Sequence, residues 1–190
     1  IVVVDNVAAG PAIGGCRMAP DVSLDECFRL ARAMTFKNAA AGLPHGGAKS
    51  VIMADPEDEA HKEDLVRAFA QLIGPIEDYI VGPDMGTNEM AMAWIRDEIG
   101  RSVGLPAAIG GIPLDEIGAT GWGLSHVVDV ALQYCDFELE GARLVIQGFG
   151  AVGKHTAHFL ATRGARLVAV ADSAGAVHNP DGLAFDAISR

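Results

Sequence analysis

The stretch Arg143-Leu-Val-Ile-Gln-Gly-Phe-Gly-Ala-Val-Gly153 predicts the architecture of the C-terminal part of the chain. Its apolar run is typical of a buried strand, and its three glycines form the G-x-G-x-x-G pattern of a loop that opens a helix. A second apolar run, Leu167 to Asp172, ends on an acidic residue nineteen positions after the third glycine. Strand, glycine loop, helix and strand in this order predict a Rossmann-type dinucleotide-binding fold.

The glycine loop has a defined role for each position if it binds a dinucleotide. Gly148 would make the turn, Gly150 would let the backbone approach the pyrophosphate beside Val152, and Gly153 would let the helix pack closely on the strand. Asp172 would accept hydrogen bonds from a ribose 2′-hydroxyl and repel a 2′-phosphate, which favours NAD while leaving NADP open. An ordinary strand-to-helix turn, with a surface Asp opening the next turn, remains the alternative.

The N-terminal part contains a lysine segment, Leu43-Pro-His-Gly-Gly-Ala-Lys-Ser-Val-Ile-Met-Ala-Asp-Pro56, with Lys37 twelve residues before Lys49. An ammonium held in an apolar stretch beside a second cation is expected to have a lowered pKa and to act as a base. The segment departs from a P-loop because Ala48 separates glycine from lysine and the preceding element is a predicted helix. A surface lysine at position 49 and a helix-terminal lysine at position 37 are the simpler alternatives.

Asp84 lies in a Gly-Pro-Asp-Met-Gly loop directly after a predicted strand. Catalytic carboxylates are often found in such loops, although an Asp in a turn can also bond its own backbone. Considered without the lysines, Asp84 fits the turn interpretation better.

Hydrophobic periodicity and breaker residues predict the remaining elements. Gly10 to Gly15 is predicted as a tight loop. The predicted helices are Ser23 to Ala41, Glu59 to Ile73, one that Asn88 caps, Thr120 to Tyr134 and Lys154 to Arg163, and the predicted strands include 1–4, 50–54 and 79–81.

The composition excludes several classes of function. A formal charge of −11 with fourteen dispersed Lys and Arg argues against nucleic acid, and the apolar runs are too short to span a membrane. Three cysteines without a CxxC predict reduced, buried thiols in a cytoplasmic protein, and the histidines lack the spacing of metal ligands. A metal site is therefore not expected.

The expected organisation is a substrate-binding and catalytic α/β domain over residues 1–120, followed by an incomplete dinucleotide-binding domain over residues 121–190. The chain opens inside an apolar run and stops after the second strand of the nucleotide fold. A complete dinucleotide fold needs two mononucleotide-binding halves, so the sequence is expected to be a fragment.

Taken together, these segments resemble the glutamate, leucine, phenylalanine and valine dehydrogenase family over essentially the whole chain. The lysine segment matches the family's active-site signature. Four further stretches match in order: Met34 to Asn38, Gly82 to Asn88, Ala119 to Gly123 and Gly148 to Gly153.

The resemblance implies a role for each candidate residue in the NAD-dependent deamination of an amino acid to its 2-oxo acid and ammonia. Lys37 would bind the substrate α-carboxylate, and Lys49 would activate water. Asp84 would carry protons to and from the amino group, and Thr120 would meet the nicotinamide side of the cofactor. The active protein is expected to be a homo-oligomer.

Ile13 bears on the choice of substrate. The resemblance places Ile13, Gly14 and Gly15 in substrate binding, and glutamate enzymes carry a lysine where Ile13 stands. Because an aliphatic side chain cannot pair with a carboxylate, a leucine-like or valine-like substrate is expected. The alternatives are glutamate, favoured by Arg96-Asp-Glu98 and the Asp84 loop, and a non-catalytic nucleotide-binding homologue, which would not need both lysines and Asp84.

Overall fold

The computed structural model describes residues 1–189, which divide into two compact units between Pro113 and Leu114. The predicted α/β class is confirmed in both, while a domain boundary near residue 120 stays a prediction.

The first unit has four strands and three helices. The strands are β1 (Val2–Asn6), β2 (Ala12–Met18), β3 (Gly46–Ile52) and β4 (Tyr79–Pro83). The helices are α1 (Leu24–Ala40), α2 (Lys62–Ile73) and α3 (Glu89–Ile99), and a short 3₁₀ turn follows at Ala107–Ile109. Ser23 and Asn88 cap α1 and α3 through their side chains, as serine and asparagine commonly do.

The four strands form one sheet in the order β1-β3-β2-β4, in which β1 is antiparallel and the others are parallel. On one face, side chains from β2, β3 and β4 pack with α2 and α3 into the main core. On the other face, Val51 of β3 packs with Cys27 of α1. Helix α1 therefore lies against the β3 part of the second face.

The predicted tight loop at Gly10 to Gly15 is wrong from Ala12 onward, where strand β2 begins. Gly14 is needed for close strand approach and not for a turn, because a Cβ there would lie 1.6 Å from the Ala48 carbonyl oxygen. Strand β3 also begins earlier than predicted, at Gly46. A Cβ on Gly47 would lie 2.1 Å from the Thr35 nitrogen in α1, so this glycine allows the helix to pack closely.

The second unit confirms the predicted order of strand, glycine loop, helix and strand. It contains α4 (Ala119–Leu132), β5 (Arg143–Gln147), α5 (Ala151–Ala161) and β6 (Arg166–Asp172), followed by β7 (Gly175–His178) and α6 (Phe185–Ile188). Strands β5 and β6 are parallel, and β7 is antiparallel to β6. The sequence analysis missed β7 and α6, which are both short.

The cysteines are free, with Cys16 and Cys27 buried and Cys135 exposed, so the prediction of burial fails at Cys135. None of the helices in residues 1–189 is long and apolar enough to cross a membrane.

Candidate functional site

One face of strand β2 carries the residues that surround the candidate site. Ala12, Gly14, Cys16 and Met18 are buried, whereas the alternate residues are partly exposed. Parallel pairing places Ile13 opposite Gly47 of β3, so Gly15 is level with Lys49. Residues paired in this way point to the same face of a sheet, which brings the ammonium of Lys49 to the open side of β2.

Lys49 and Asp84, the two predicted catalytic residues, are in direct contact. Lys49 lies in the middle of β3 with 6% of its side chain exposed, and its ammonium donates to Oδ2 of Asp84. Asp84 follows the last residue of β4, and its backbone N–H donates to Oγ1 of Thr87 at 3.0 Å. The Thr87 hydroxyl donates to the Cys16 carbonyl, which fixes this loop against β2.

Two opposing effects determine the ionisation of Asp84. Burial raises the pKa of its carboxyl group, but hydrogen bonding and charge attraction from Lys49 lower it, with smaller contributions from the Met85 N–H and Arg17. The net result is a pKa below the ordinary value, so Asp84 is held as a carboxylate.

Gly15 allows this ion pair to pack closely against β2. A Cβ at this position would lie 2.8 Å from Cβ of Asp84 and 3.3 Å from Nζ of Lys49. Any side chain here would therefore press on both charged groups. The absence of a side chain at Gly15 therefore lets the Lys49 ammonium and the Asp84 side chain lie this close to the backbone of β2.

Asp84 has a second cationic partner, Arg17 of β2. Nε of Arg17 donates to Oδ2 of Asp84 at 3.0 Å, and its Nη1 donates to Oε1 of Glu26 at 2.5 Å. Glu26 lies in the first turn of α1, where its N–H donates to Oγ of Ser23 at 3.2 Å. The cation that shares Asp84 with Lys49 is thus an arginine that the sequence analysis did not consider.

The far side of β3 is closed by neutral polar groups. The hydroxyl of Ser50 is 2.7 Å from that of Tyr79, which donates to the Gly14 carbonyl at 3.1 Å. Burial raises the pKa of Cys16 to about 11 and also raises the pKa of Tyr79. These groups remain uncharged near neutral pH, so the charged residues are confined to the open face.

The two predicted substrate-binding side chains are differently placed. Ile13 is partly exposed on the face of β2 that also carries Gly15, and it pairs with Ile80 of β4. Lys37 is exposed in the last turn of α1. Its position also suits a cation that interacts with the helix dipole, so a substrate-binding role and a helix-terminal role for Lys37 both stay open.

In the second unit, the three loop glycines differ in what a side chain at their positions would meet. Gly148 has φ of +88°, which favours glycine, and a Cβ on Gly153 would lie 1.8 Å from the Gly148 carbonyl oxygen. A Cβ on Gly150 would meet nothing within 4 Å, and no side chain caps α5 there. The open backbone at the start of α5 can therefore receive a phosphate group.

The remaining cofactor candidates also lie near this loop. Thr120, in the first turn of α4, and Val152 line the same shallow depression. Asp172 ends β6 and lines a cavity of about 450 Å³ together with Phe149 and Ile188. Its Oδ1 accepts from the N–H of Ala174 at 2.8 Å, so Asp172 also holds the turn between β6 and β7.

Arg17 and Glu26 are the site residues that sequence reasoning missed. Glu26 was predicted only to lie in the helix that begins at Ser23, and the misassigned loop hid the strand alternation that aligns Arg17 with Gly15. Recognising β2 as a strand would have placed Arg17 on the open face.

Two family models match this chain. The model described as the Glu/Leu/Phe/Val dehydrogenase dimerisation domain matches residues 1–101, and the one described as glutamate/leucine/phenylalanine/valine dehydrogenase matches residues 110–190.

Similar proteins are named as glutamate dehydrogenases. Glutamate dehydrogenase A2 of Halobacterium salinarum is 40% identical over 93% of this chain and 45% of its own length. The catabolic NAD-specific glutamate dehydrogenase of Bacillus subtilis is 37% identical over 94% of this chain and 45% of its own. The chain thus spans about half the length of the curated relatives it matches.

A solved structure confirms the fold. The hetero-hexameric glutamate dehydrogenase from Thermus thermophilus, in its leucine-bound form, superposes with a TM-score of 0.91 at 36% identity, over 98% of this chain and 48% of that one. The names of these relatives favour the glutamate alternative of the sequence analysis over its leucine-like or valine-like expectation.

Proposed function

The chain belongs to the glutamate/leucine/phenylalanine/valine dehydrogenase family, and we propose that it carries the proton-transfer site of an NAD-dependent L-glutamate dehydrogenase. The observation that carries this proposal is the buried Lys49 ammonium bonded to the Asp84 carboxylate beside the backbone of Gly15.

The two residues of the pair supply the acid–base chemistry that oxidative deamination requires. Asp84, an ionised carboxylate, accepts a proton from the substrate ammonium, so that the amine can release hydride from its α-carbon. Lys49, after giving its own proton to solvent, takes a proton from water as that water attacks the iminium carbon to form a carbinolamine. Asp84 then returns its proton to the nitrogen, the carbinolamine hydroxyl gives its proton to solvent, and the C–N bond breaks to give 2-oxo acid and ammonia.

NAD, when bound, accepts the hydride. The residues that would hold it are Gly148, Gly150 and Gly153 at the start of α5, with Thr120 and Asp172 nearby. The open backbone at Gly150 supports this assignment, because a pyrophosphate needs exposed N–H groups and no intruding side chain. NAD is preferred since relatives from Bacillus subtilis and Staphylococcus aureus are named NAD-specific.

A second candidate substrate is an aliphatic amino acid, and Ile13 is the observation that favours it. Ile13 and Ile80 are paired on the face that carries Gly15. Two aliphatic neighbours there would suit a leucine or valine side chain better than a carboxylate. Lys37 is proposed to bind the α-carboxylate that both candidate substrates share.

The active form is proposed to be a homo-oligomer. The family model that matches residues 1–101 is described as a dimerisation domain, which supports this assignment.

The test is the kcat/KM of the full-length protein for glutamate, leucine and valine with NAD. Glutamate is expected to be the best substrate, and a clear preference for leucine or valine would replace it with the second candidate. Ile13→Lys is expected to move the glutamate-to-leucine ratio toward glutamate by about tenfold. Leu72→Lys, on an exposed position of α2, adds the same charge elsewhere and should leave the ratio unchanged.

A further inference from the structure

We propose that Arg17 and Glu26 form a positioning pair that orients the Asp84 carboxylate and sets the pH range in which it works. The proposal rests on the proton-transfer role given to Asp84 above.

Arg17 is placed to act on Asp84 through geometry. Two different nitrogens of its planar guanidinium are used, Nε toward Asp84 at 3.0 Å and Nη1 toward Glu26 at 2.5 Å. Because these donors have a fixed relative orientation, holding one carboxylate determines where the other can lie. With 18% of its side chain exposed, Arg17 is also largely shielded from water.

Helix α1 anchors this arrangement. Ser23 caps the helix through the N–H of Glu26, which fixes the first turn. A glutamate at this position often bonds back to the cap residue, but the Glu26 carboxylate instead contacts Arg17. By holding Arg17, the first turn of α1 helps to position the loop that follows β4, although this loop is far from α1 in the sequence.

The charges around Asp84 give the pair a second effect. Lys49 and Arg17 both donate to Oδ2 of Asp84, and Glu26 neutralises the outer side of Arg17. Cys16 of β2, Cys27 of α1 and Tyr79 of β4 are titratable groups that also face this site, and burial raises the pKa of each, so that they stay neutral. Arg17 therefore adds positive charge to Asp84, and Glu26 partly offsets it.

Changes at the two residues are expected to have opposite effects. Arg17→Met removes a cation from Asp84 and should raise its pKa, which moves the acid limb of kcat/KM to higher pH by about one unit. Glu26→Gln leaves Arg17 without its counter-charge and should move the same limb to lower pH. Arg17→Lys retains the positive charge but lacks the forked donors of the guanidinium. It should therefore return the acid limb to its wild-type pH, while kcat stays about tenfold below the wild-type value.

The experiment compares these variants with Arg29→Met in the full-length protein. Arg29 pairs with Asp25 on the exposed surface of α1, so its loss removes the same charge without reaching Asp84. The acid limb is measured from kcat/KM, and the Asp84 carboxyl is titrated by ¹³C NMR in the absence of substrate. Thermal melts establish that each variant is folded, and Arg17→Lys decides the question if Arg17→Met does not fold.

The outcomes separate this proposal from the proposed function. The positioning role is overturned if Arg17→Met shifts the acid limb no further than Arg29→Met does. It is also overturned if Glu26→Gln shifts the acid limb to higher pH. A wild-type protein that oxidises no amino acid would refute the dehydrogenase assignment. In that case the NMR titration still decides whether Arg17 and Glu26 control Asp84.

Discussion

The two units build their candidate sites in different ways. In the first, four charged side chains at positions 17, 26, 49 and 84 come together from two strands, a helix and a loop. In the second, the central part is a run of six residues, Gly148 to Gly153, whose contribution is mostly backbone. Proton transfer needs ionisable groups at fixed distances, whereas phosphate binding needs exposed N–H groups and space.

This difference determines how each site should respond to mutation. A side-chain site should lose chemistry when one group is removed while the fold survives. A backbone site should lose its fold when a side chain is added where none fits.

Lys49→Ala is expected to lower kcat at least about 100-fold in the full-length protein, because Lys49 supplies acid–base chemistry. Asp84 would keep its contact with Arg17, so the fold should be retained. Lys62→Ala is the matched control, since Lys62 is also largely buried but donates to the Pro56 carbonyl.

Steady-state kinetics and thermal melts of both variants provide the measurement. The control should lower the melting temperature and leave kcat near the wild-type value. Turnover by Lys49→Ala at the wild-type rate would remove this lysine from the mechanism.

Gly153→Ala is expected to destabilise the protein by at least about 2 kcal/mol. The added Cβ would lie 1.8 Å from the Gly148 carbonyl oxygen, so helix α5 would have to move away from β5. Gly123→Ala, within α4, is the matched control, because its Cβ would meet nothing within 4 Å. Ala at that position should stabilise the helix by up to about 1 kcal/mol.

Urea unfolding would measure both changes, and calorimetry with NAD would show whether binding is lost with the loop geometry. Equal stability of the two variants would mean that the close contact of α5 with the loop is not required.

The same comparison of the two sites explains how much of each could be predicted from the sequence. The glycine loop was predicted almost completely, because its strand, turn and helix are consecutive and each glycine has a local cause. Lys49 and Asp84 were found through motifs, but their contact depends on the order β3-β2-β4, which no local pattern specifies. Arg17 was missed because the paired glycines before it were interpreted as a turn.

The burial of Gly14 explains that error. In sequence, two adjacent glycines indicate a turn as readily as a strand that must approach another backbone closely. Only the carbonyl of Ala48, more than thirty residues away, distinguishes the two cases. Long-range packing thus decided the local structure.

The ion pair predicts a specific dependence of stability on pH. The pKa of Asp84 is lowered in the folded state from an ordinary value of 3.8, so its contribution to stability is present above that pH and is lost as the pH falls below it. The difference in unfolding free energy between wild type and Asp84→Asn should therefore be constant near neutral pH and should narrow in acid. Urea unfolding from neutral to acid pH provides the measurement. If the ion pair does not stabilise the fold, the difference in unfolding free energy between the two proteins should stay the same at every pH.

The smallest expected effect concerns Asp172, where turn formation and cofactor choice overlap. Oδ1 of Asp172 accepts from the N–H groups of Ala174 and Gly175 at 2.8 and 3.2 Å. Asp172→Ala removes both bonds and is expected to cost about 1 kcal/mol of stability. Asp172→Asn keeps an acceptor for the turn but removes the negative charge, so it separates the two roles.

If the charge excludes a 2′-phosphate, Asp172→Asn should retain wild-type stability while the preference for NAD over NADP falls by about tenfold. The measurement is the ratio of kcat/KM for the two cofactors, beside a urea unfolding curve for each variant. An unchanged ratio in Asp172→Asn, with stability lost only in Asp172→Ala, would assign Asp172 to the turn alone. The preference between NAD and NADP would then depend on other residues. The site would in that case rely on its backbone even more than the sequence indicates.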